Sequence, residues 1–525
     1  MVLCAVMTAV SILASCGSAD SGDEARSGKS AMRDDRDGVT YDNGGDIRAE
    51  NEDGGFYGLT MDMAEWEPDM EEYSHYNENE FKSVSENPLS TFSTDVDTAS
   101  YTNVRRMINN GTAVDPDAVR TEEFINYFKY AYPQPEDGEK IGISAELTDC
   151  PWNDEAKLMM IGLQAEETEV RDIDSNIVFL IDVSGSMESE DKLPLVRQAF
   201  SLLSENLGQN DRISIVTYAG ADKVVLEGEN GANYDRIKEC LDSLTAGGST
   251  AGAAGINTAY ELAERYFIEG GNNRVILATD GDLNVGVSTE EGLVGLIEEK
   301  RDKGIFLSVL GFGTGNYKDN KLEAIADNGN GNYAYIDSVD EARRVLVSEM
   351  NGTLFTVAKD IKVQVEFDPE TVAFYRLVGY ENRLLEDKDF EDDSKDAGDV
   401  GAGQQVTVLY EIIPEGSMTH DDQGQELDGL GNAQDRLMTV SVRYKKADED
   451  ESRLIESEVN ATAYRPADEM SSNMVAAVSA AMFARALKGS EQGVVFTFSE
   501  ILEFMDAHGL ADGYSELREL VEKCV

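Results

Sequence analysis

An unbroken apolar run, Asn176–Asp182 (NIVFLID), constrains the fold more than any other feature of the sequence. It lacks the alternation of polar and apolar residues seen in half-buried strands, so it is typical of a strand buried on both faces. From Leu193 to Leu207, apolar residues then recur three and four positions apart, which predicts an amphipathic helix. A strand buried on both faces needs helices on each side of its sheet. The sequence therefore predicts an α/β fold with a largely parallel sheet.

The same alternation continues to residue 351. Further apolar runs predict strands, and amphipathic runs between them predict helices. The predicted strands are Arg212–Tyr218, Lys223–Glu227, Arg274–Asp280, Ile305–Gly313 and Asn332–Ile336, and the predicted helices are Ile256–Phe267 and Glu291–Lys303. We expect a doubly wound, mostly parallel sheet with helices on both faces, and a ligand site beyond the carboxyl ends of its strands.

Three polar loops follow predicted strands or precede predicted helices in this region. The first is DVSGSM, which places Asp182, Ser184 and Ser186 on one tight turn after the first strand. The second is AGGSTAGAAGI, which contains Thr250, and the third is TDGDLNVGV, in which Asp280 ends another strand. Hydroxyl oxygens combined with few carboxylates suit a hard divalent cation such as Mg²⁺ or Mn²⁺. The spacing predicts that the three loops meet at one edge of the sheet.

This pattern resembles the metal-ion-dependent adhesion site of von Willebrand factor type A (VWA) domains, which have a Rossmann-like fold. The family pattern is Asp-x-Ser-x-Ser, then a Thr, then an Asp. The resemblance implies five metal-site residues, with Ser249 as the alternative to the Thr: Asp182, Ser184, Ser186, Thr250 and Asp280. It also implies a bound divalent cation, Mg²⁺ first with Mn²⁺ and Ca²⁺ as alternatives. A protein partner would complete the coordination shell with an Asp or Glu carboxylate.

The resemblance extends beyond the metal-site motif. PLSTFSTDVDTASYTNVRR, VRTEEFINYF and DAGDVGAGQQVTVLYEI are similar to segments of bacterial VWA lipoproteins that carry an N-terminal associated segment and a C-terminal module of unknown function. We therefore expect an N-terminal module at 73–150, a VWA domain at 151–352 and a C-terminal module at 353–525. Alternating runs such as Ile361–Phe367, Gln404–Ile412 and Arg436–Tyr444 predict that the C-terminal module is β-rich, and Met470–Leu487 predicts a helix in its tail.

The first residues predict that the chain is exported and anchored to a membrane. Residues 1–15 read as a signal peptide, and Leu13–Cys16 (LASC) resembles the lipobox of bacterial lipoproteins. We expect a lipid on Cys16 that anchors the chain to a membrane on its extracytoplasmic side. Residues 16–72 are acidic and poor in aliphatic side chains, so they predict a disordered tether. An ordinary cleaved signal without lipid is the alternative.

Charge, cysteine content and the absence of catalytic motifs argue against several classes of partner, site and activity. The net charge of -59 argues against nucleic acid as a partner. Cys150, Cys240 and Cys524 form neither a disulfide framework nor a zinc motif, although a single Cys150–Cys240 bridge stays open. No His lies between residues 151 and 352, and no nucleophile elbow or phosphate-binding loop is present. We therefore expect a non-enzymatic, metal-dependent binding protein. The alternatives are an envelope protein whose metal stabilises the fold and, less favoured, a metal-assisted hydrolase.

Overall fold

A computed structural model describes residues 71–525 except 95–96, 137, 168–172, 249–254, 282–289, 316, 350–355, 394, 396, 416–434, 447–448, 450 and 490–495. The predicted signal peptide, the lipid site at Cys16 and nearly all of the predicted tether lie outside the described residues. The strands of the described part are β1 Lys82–Ser83, β2 Leu89–Ser93, β3 Ile141–Asp149, β4 Lys157–Ala165, β5 Ser175–Asp182, β6 Arg212–Tyr218, β7 Asp222–Asn230, β8 Asn272–Thr279, β9 Ile305–Phe312, β10 Tyr333–Ile336, β11 Thr356–Phe367, β12 Val372–Val378, β13 Gly398–Gly401, β14 Gln405–Pro414, β15 Arg436–Lys446 and β16 Ser452–Asn460.

The α-helices of the same residues are α1 Ala99–Asn110, α2 Thr121–Asn126, α3 Leu193–Ser204, α4 Tyr234–Asp242, α5 Gly255–Arg265, α6 Glu290–Arg301, α7 Asp319–Asn328, α8 Val339–Arg343, α9 Ser472–Lys488, α10 Phe498–His508 and α11 Ser515–Lys523. A short π-helical turn, Arg344–Ser348, continues α8.

Residues 175–348, hereafter the central domain, contain a sheet with the strand order β10-β9-β8-β5-β6-β7. Its neighbouring strands are parallel except for β7, which pairs antiparallel with β6 as the outer arm of a hairpin. Alternate residues of β5 enter two different cores. Ile177 and Phe179 pack with α3 on one face, while Val178 and Leu180 pack with α5 on the other. The predicted doubly wound α/β fold is confirmed.

A second body, hereafter the sandwich, consists of two antiparallel sheets. One has the order β1-β12-β14-β4-β3, and the other has the order β13-β11-β15-β16 with β2 paired to β11. Side chains from both sheets share one core, including Met159 and Ile161 of β4, Val363 of β11 and Val408 of β14. The outer face of the first sheet is covered by α2 and α9, where Leu158, Met160 and Leu409 pack on the helices.

The sandwich is formed by chain on both sides of the central domain. The expected module boundary at 150–151 falls between β3 and β4, which pair along their whole length from Ile141↔Ala165 to Asp149↔Lys157. Strand β4 in turn pairs with β14, about 250 positions later in the chain. The sequence modules expected at 73–150 and 353–525 thus contribute strands to the same two sheets, and the central domain is inserted between them.

Arginines join the sandwich side to the central domain. Arg120, just before α2, bonds Glu323 and Asp319 of α7. Arg383, after β12, bonds Glu323 and Asp327 of the same helix. The pairs with Asp319 and Glu323 are buried or nearly so, the pair with Asp327 is partly exposed, and together they fix α7 against the sandwich.

Cys150, Cys240 and Cys524 are free thiols. Cys150 and Cys240 lie in different hydrophobic cores, so the Cys150–Cys240 disulfide that the sequence left open does not form. Within the described residues, no helix combines the length and the apolar character needed to cross a bilayer.

Candidate metal centre

The loop after β5 brings three of the predicted ligands together. Asp182 is the last residue of the strand, and its Oδ1 accepts a 2.8 Å hydrogen bond from the Ser184 backbone N–H. The Ser184 and Ser186 hydroxyl oxygens lie 3.0 Å apart. Asp182 and Ser184 are fully buried, whereas Ser186 is exposed. The cluster of oxygens therefore begins inside the domain and ends at its surface.

Asp280 reaches the same edge of the sheet from the neighbouring strand. Strands β5 and β8 pair in parallel up to Ile181↔Ala278, so the residues that follow them emerge side by side. The Asp280 side chain is buried, like that of Asp182. The structure thus collects four of the five predicted residues at the carboxyl end of the sheet, where α/β folds bind their ligands.

The second predicted loop approaches this cluster through the backbone of its first residues. Gly247 N–H donates to Val183 O at 2.8 Å, and Gly185 N–H donates to Gly248 O at 3.3 Å. Gly248 adopts φ +94°, and a Cβ there would meet the backbone oxygen of Ala219 at 3.3 Å, so the conformation favours glycine. Thr250 and its alternative Ser249 lie outside the described residues. The metal-ligand role of all five residues stays a prediction, and for Thr250 its position in the site does as well.

The two carboxylates carry oxygens that are buried without a partner. Asp182 Oδ2 and Asp280 Oδ1 form no hydrogen bond of normal geometry among the described residues, although the Tyr218 hydroxyl, which is also buried without such a bond, lies near the Asp182 carboxylate. Burial, with a smaller contribution from the negative charge of Asp280, raises the pKa of Asp182 to about 6, although Ser184 and the Tyr218 hydroxyl act in the opposite direction. Buried, unpartnered carboxylate oxygens are costly unless a cation or a donor meets them. These residues fit a divalent cation.

The donor set also fits a hard cation with few carboxylates. Among the residues that the structure describes, no group of three or more His, Cys, Asp or Glu side chains is arranged to hold a metal. Two hydroxyls and two carboxylates instead converge here, and such oxygen ligands suit Mg²⁺ or Mn²⁺. When bound, the ion would supply a Lewis acid at the surface, next to the exposed Ser186.

Lys192 is a component of the site that the sequence analysis missed. Its ammonium Nζ donates a 3.0 Å hydrogen bond to Asp280 Oδ2, in a pair whose side chains are 10% and 0% exposed. Lys192 directly precedes α3, and its chain lies against Gly313, where a Cβ would come within 2.3 Å of it. The signal in the sequence was a lysine six residues after Ser186 in a strongly acidic chain. Lys192 neutralises one of the two acids.

Comparisons with known proteins agree with this organisation. Three family models match the chain: "von Willebrand factor" over residues 67–160, "von Willebrand factor type A domain" over 176–347, and "Uncharacterized protein YfbK, C-terminal" over 352–524.

Two curated relatives and one solved structure are similar to this chain. "Uncharacterized protein YfbK" of Escherichia coli K12 is 41% identical over 443 residues, which cover 81% of this chain and 75% of the relative. "Uncharacterized protein sll0103" of Synechocystis is 27% identical over 212 residues, covering 39% of this chain and 48% of the relative. The solved von Willebrand factor type A protein of Catenulispora acidiphila is 15% identical with a TM-score of 0.39, covering 85% of this chain and 91% of its own.

Proposed function

Because this chain belongs to the same family as YfbK, whose members contain a VWA domain, we propose that it is a divalent-metal-dependent protein-binding module. VWA domains commonly bind a divalent metal and mediate protein–protein interactions. The observation that carries the proposal for this chain is the pair of buried, unpartnered oxygens of Asp182 and Asp280 beside the Ser184 and Ser186 hydroxyls.

The charge of the site favours an acidic group on the partner. Two carboxylates converge on the metal position, and Lys192 already neutralises one of them through its bond to Asp280. A divalent ion held there would keep excess positive charge, because neutral hydroxyl ligands supply no negative charge to offset it. Ser186 is exposed, so the outer side of the ion would face solvent. We propose that an Asp or Glu carboxylate of the partner binds on that side.

Mg²⁺ is the proposed ion, with Mn²⁺ and Ca²⁺ as alternatives, and Asp182, Ser184, Ser186, Thr250 and Asp280 are its proposed ligands. The domain needs no catalytic step for this role, and we propose that it is not an enzyme. We also propose that Cys16 carries a lipid that holds the chain on the extracytoplasmic side of a membrane, which would present the metal site to other envelope proteins.

Metal binding is tested first with Mn²⁺ as the probe. The chelator-treated full chain should bind a single Mn²⁺ in isothermal titration and in Mn²⁺ electron paramagnetic resonance, and Asp182→Asn and Ser184→Ala should lose that binding. Asp242→Asn is the matched control, because Asp242 is an exposed acid of the same domain whose carboxylate pairs with Lys238 at the surface. Unchanged Mn²⁺ binding by Asp182→Asn would contradict the proposal.

Partner binding is tested in the native envelope. Crosslinking and affinity capture are compared in Mg²⁺ and in EDTA, with Asp182→Asn and Asp242→Asn as baits, and captured proteins are identified by mass spectrometry. The proposal predicts a partner that is captured only with Mg²⁺ and only by baits with an intact site. Equal capture in Mg²⁺ and EDTA, combined with a melting temperature that rises with Mg²⁺, would instead favour an envelope protein whose ion stabilises the fold.

A further inference from the structure

A cavity lies at the amino end of the central strands, opposite the proposed metal centre at their carboxyl end. It measures about 350 Å³ and is lined by residues of the central domain, such as Arg274 and Asn332, and by residues of the sandwich, such as Asp399 and Gln404. Arg274 is near the start of β8, and Asp280 follows the end of that strand. At about 3.3 Å per residue, the two sites are separated by roughly 20 Å.

Arg274 is a buried arginine whose guanidinium has few hydrogen-bond partners. The residue is 3% exposed, and its Nη1 donates one 2.6 Å hydrogen bond to the Ser308 hydroxyl. Its Nε is buried with no partner, and the nearest aromatic ring, that of Phe306, lies 5.6 Å from the guanidinium carbon. Burial lowers the pKa of Arg274 to about 10, and the more distant Asp399 only partly offsets this effect.

The other buried arginines of the described residues each have a carboxylate partner. Arg105 pairs with Asp337 at 2.6 Å, Arg120 with Glu323, and both Arg376 and Arg485 with Glu411. Arg274 makes no such ion pair with any described acid. A buried guanidinium with one neutral hydroxyl partner is expensive for the folded state. Because it borders a cavity, a ligand that supplies the missing negative charge would account for it.

The rest of the lining favours a small polar ligand. Three acids, Glu298, Asp327 and Asp399, also line the cavity. The other two arginines of the lining have carboxylate partners, since Arg383 pairs with Asp97, Glu323 and Asp327, and Arg301 pairs with Asp302. Arg274 is the arginine of the lining that has no carboxylate at ion-pair distance among the described residues. Several amide side chains also line the cavity and offer donors and acceptors for the remainder of a ligand: Asn328, Asn330, Asn332 and Gln404. A volume of about 350 Å³ is at the lower end of the range for small-molecule sites.

We propose that this cavity binds a small oxyanion, a carboxylate or a phosphate, through the Arg274 guanidinium. A planar guanidinium matches the geometry of both groups and can donate two parallel hydrogen bonds to either. The ligand lies at the junction of the central domain and the sandwich, so it would join the two bodies. This site is independent of the proposed metal centre, and its test uses full chain that has been treated with a chelator and then dialysed free of it, because chelators such as EDTA carry carboxylates themselves.

The test measures binding of succinate and of inorganic phosphate to the full chain by isothermal titration at constant ionic strength, with chloride as the reference anion. Saturable binding of one probe with a single site is expected, and the probe that binds identifies the class. Arg274→Met should reduce the affinity at least tenfold. The matched control is Arg212→Met, because Arg212 begins β6 at the same edge of the sheet and bonds only backbone oxygens.

A stability measurement separates a binding role from a structural one. If Arg274 serves a ligand, Arg274→Met should fold with an unfolding midpoint equal to or above that of the wild type in the absence of oxyanions, because it removes an uncompensated buried charge. Absence of saturable binding for both probes, binding that survives in Arg274→Met, or a strongly destabilised Arg274→Met would each overturn the proposal.

Discussion

Lys192 offers a sharp test of how the metal centre is balanced. Its ammonium binds Asp280 Oδ2, while Asp280 Oδ1 has no partner among the described residues. In the proposed site, Lys192 and a divalent ion would therefore act on the same carboxylate from two sides. Lys192→Met keeps most of the side-chain volume against Gly313 and removes only the charge. We expect the variant to bind the ion more tightly and to be less stable without it.

The size of both effects follows from the geometry of the pair. The 3.0 Å contact joins side chains that are 10% and 0% exposed, so water screens it weakly. A charge-assisted hydrogen bond of this kind contributes about 1.5–3 kcal/mol. If the Lys192 ammonium no longer competes with the ion for the Asp280 carboxylate, that free energy is added to ion binding, and the Kd for Mn²⁺ should fall by about ten- to a hundredfold. Breaking a buried pair on one side costs about 3–5 kcal/mol, so the metal-free variant should unfold at lower urea concentration.

The assay is Mn²⁺ titration of chelator-treated protein, followed by urea unfolding with and without Mg²⁺. Lys362→Met is the matched control, because Lys362 is a buried lysine of β11 in the sandwich, bonded to Asp360 and to the Asp392 backbone oxygen. The control should lose stability without a change in Mn²⁺ affinity. An equal or weaker Mn²⁺ affinity in Lys192→Met would show that Lys192 does not compete with the ion for Asp280.

Two further predictions concern other parts of the chain. Burial and the nearby acids Asp319 and Glu323, opposed by Arg120, raise the pKa of Glu123 from 4.5 to about 8. Between these pH values the folded chain holds a proton on Glu123 that the unfolded chain releases. The free energy of unfolding should therefore fall as the pH rises through this range. Glu123→Gln should remove up to about 1.4 kcal/mol per pH unit of that slope in urea unfolding between pH 5.5 and 8, and an unchanged slope would count against the assignment. Cys16→Ser should move the chain from the membrane fraction to the soluble fraction and abolish labelling by a fatty-acid probe, whereas persistent membrane binding would exclude lipid as the anchor.

The central domain could be predicted because its inner strands are buried on both faces. Such strands appear as unbroken apolar runs, as in Ile305–Phe312, and their polar ends mark the edge of the sheet where the site forms. The residues proposed to hold the metal could be selected for the same reason, since Asp182 ends β5 and Asp280 directly follows β8, the parallel strand paired with it.

The sandwich was harder to predict because its pairing is long-range. Strands β3 and β4 were not identified as strands, and β4 pairs with β14 across the whole inserted domain. Local periodicity gives no information about which distant strands pair, or that two sequence modules share a sheet.

Lys192 and Arg274 were missed because their roles depend on tertiary contacts. Lys192 acquires its role only when the start of α3 packs against Gly313, after β9. Arg274 was treated as the first residue of a strand, and nothing local in the sequence shows that its guanidinium is buried without a carboxylate. In both cases the role of the charged side chain depends on which groups surround it, and the tertiary fold determines those groups.

Anomalous diffraction from crystals of the chain soaked in Mn²⁺ tests the proposed metal site. We expect one anomalous peak bonded to the Ser184 and Ser186 hydroxyl oxygens, with Asp182 and Asp280 beside it and with a coordination position toward solvent held by water or by an acid of a neighbouring molecule. A peak whose coordination is completed by this chain's own carboxylates, or the absence of a peak at these residues, would contradict it.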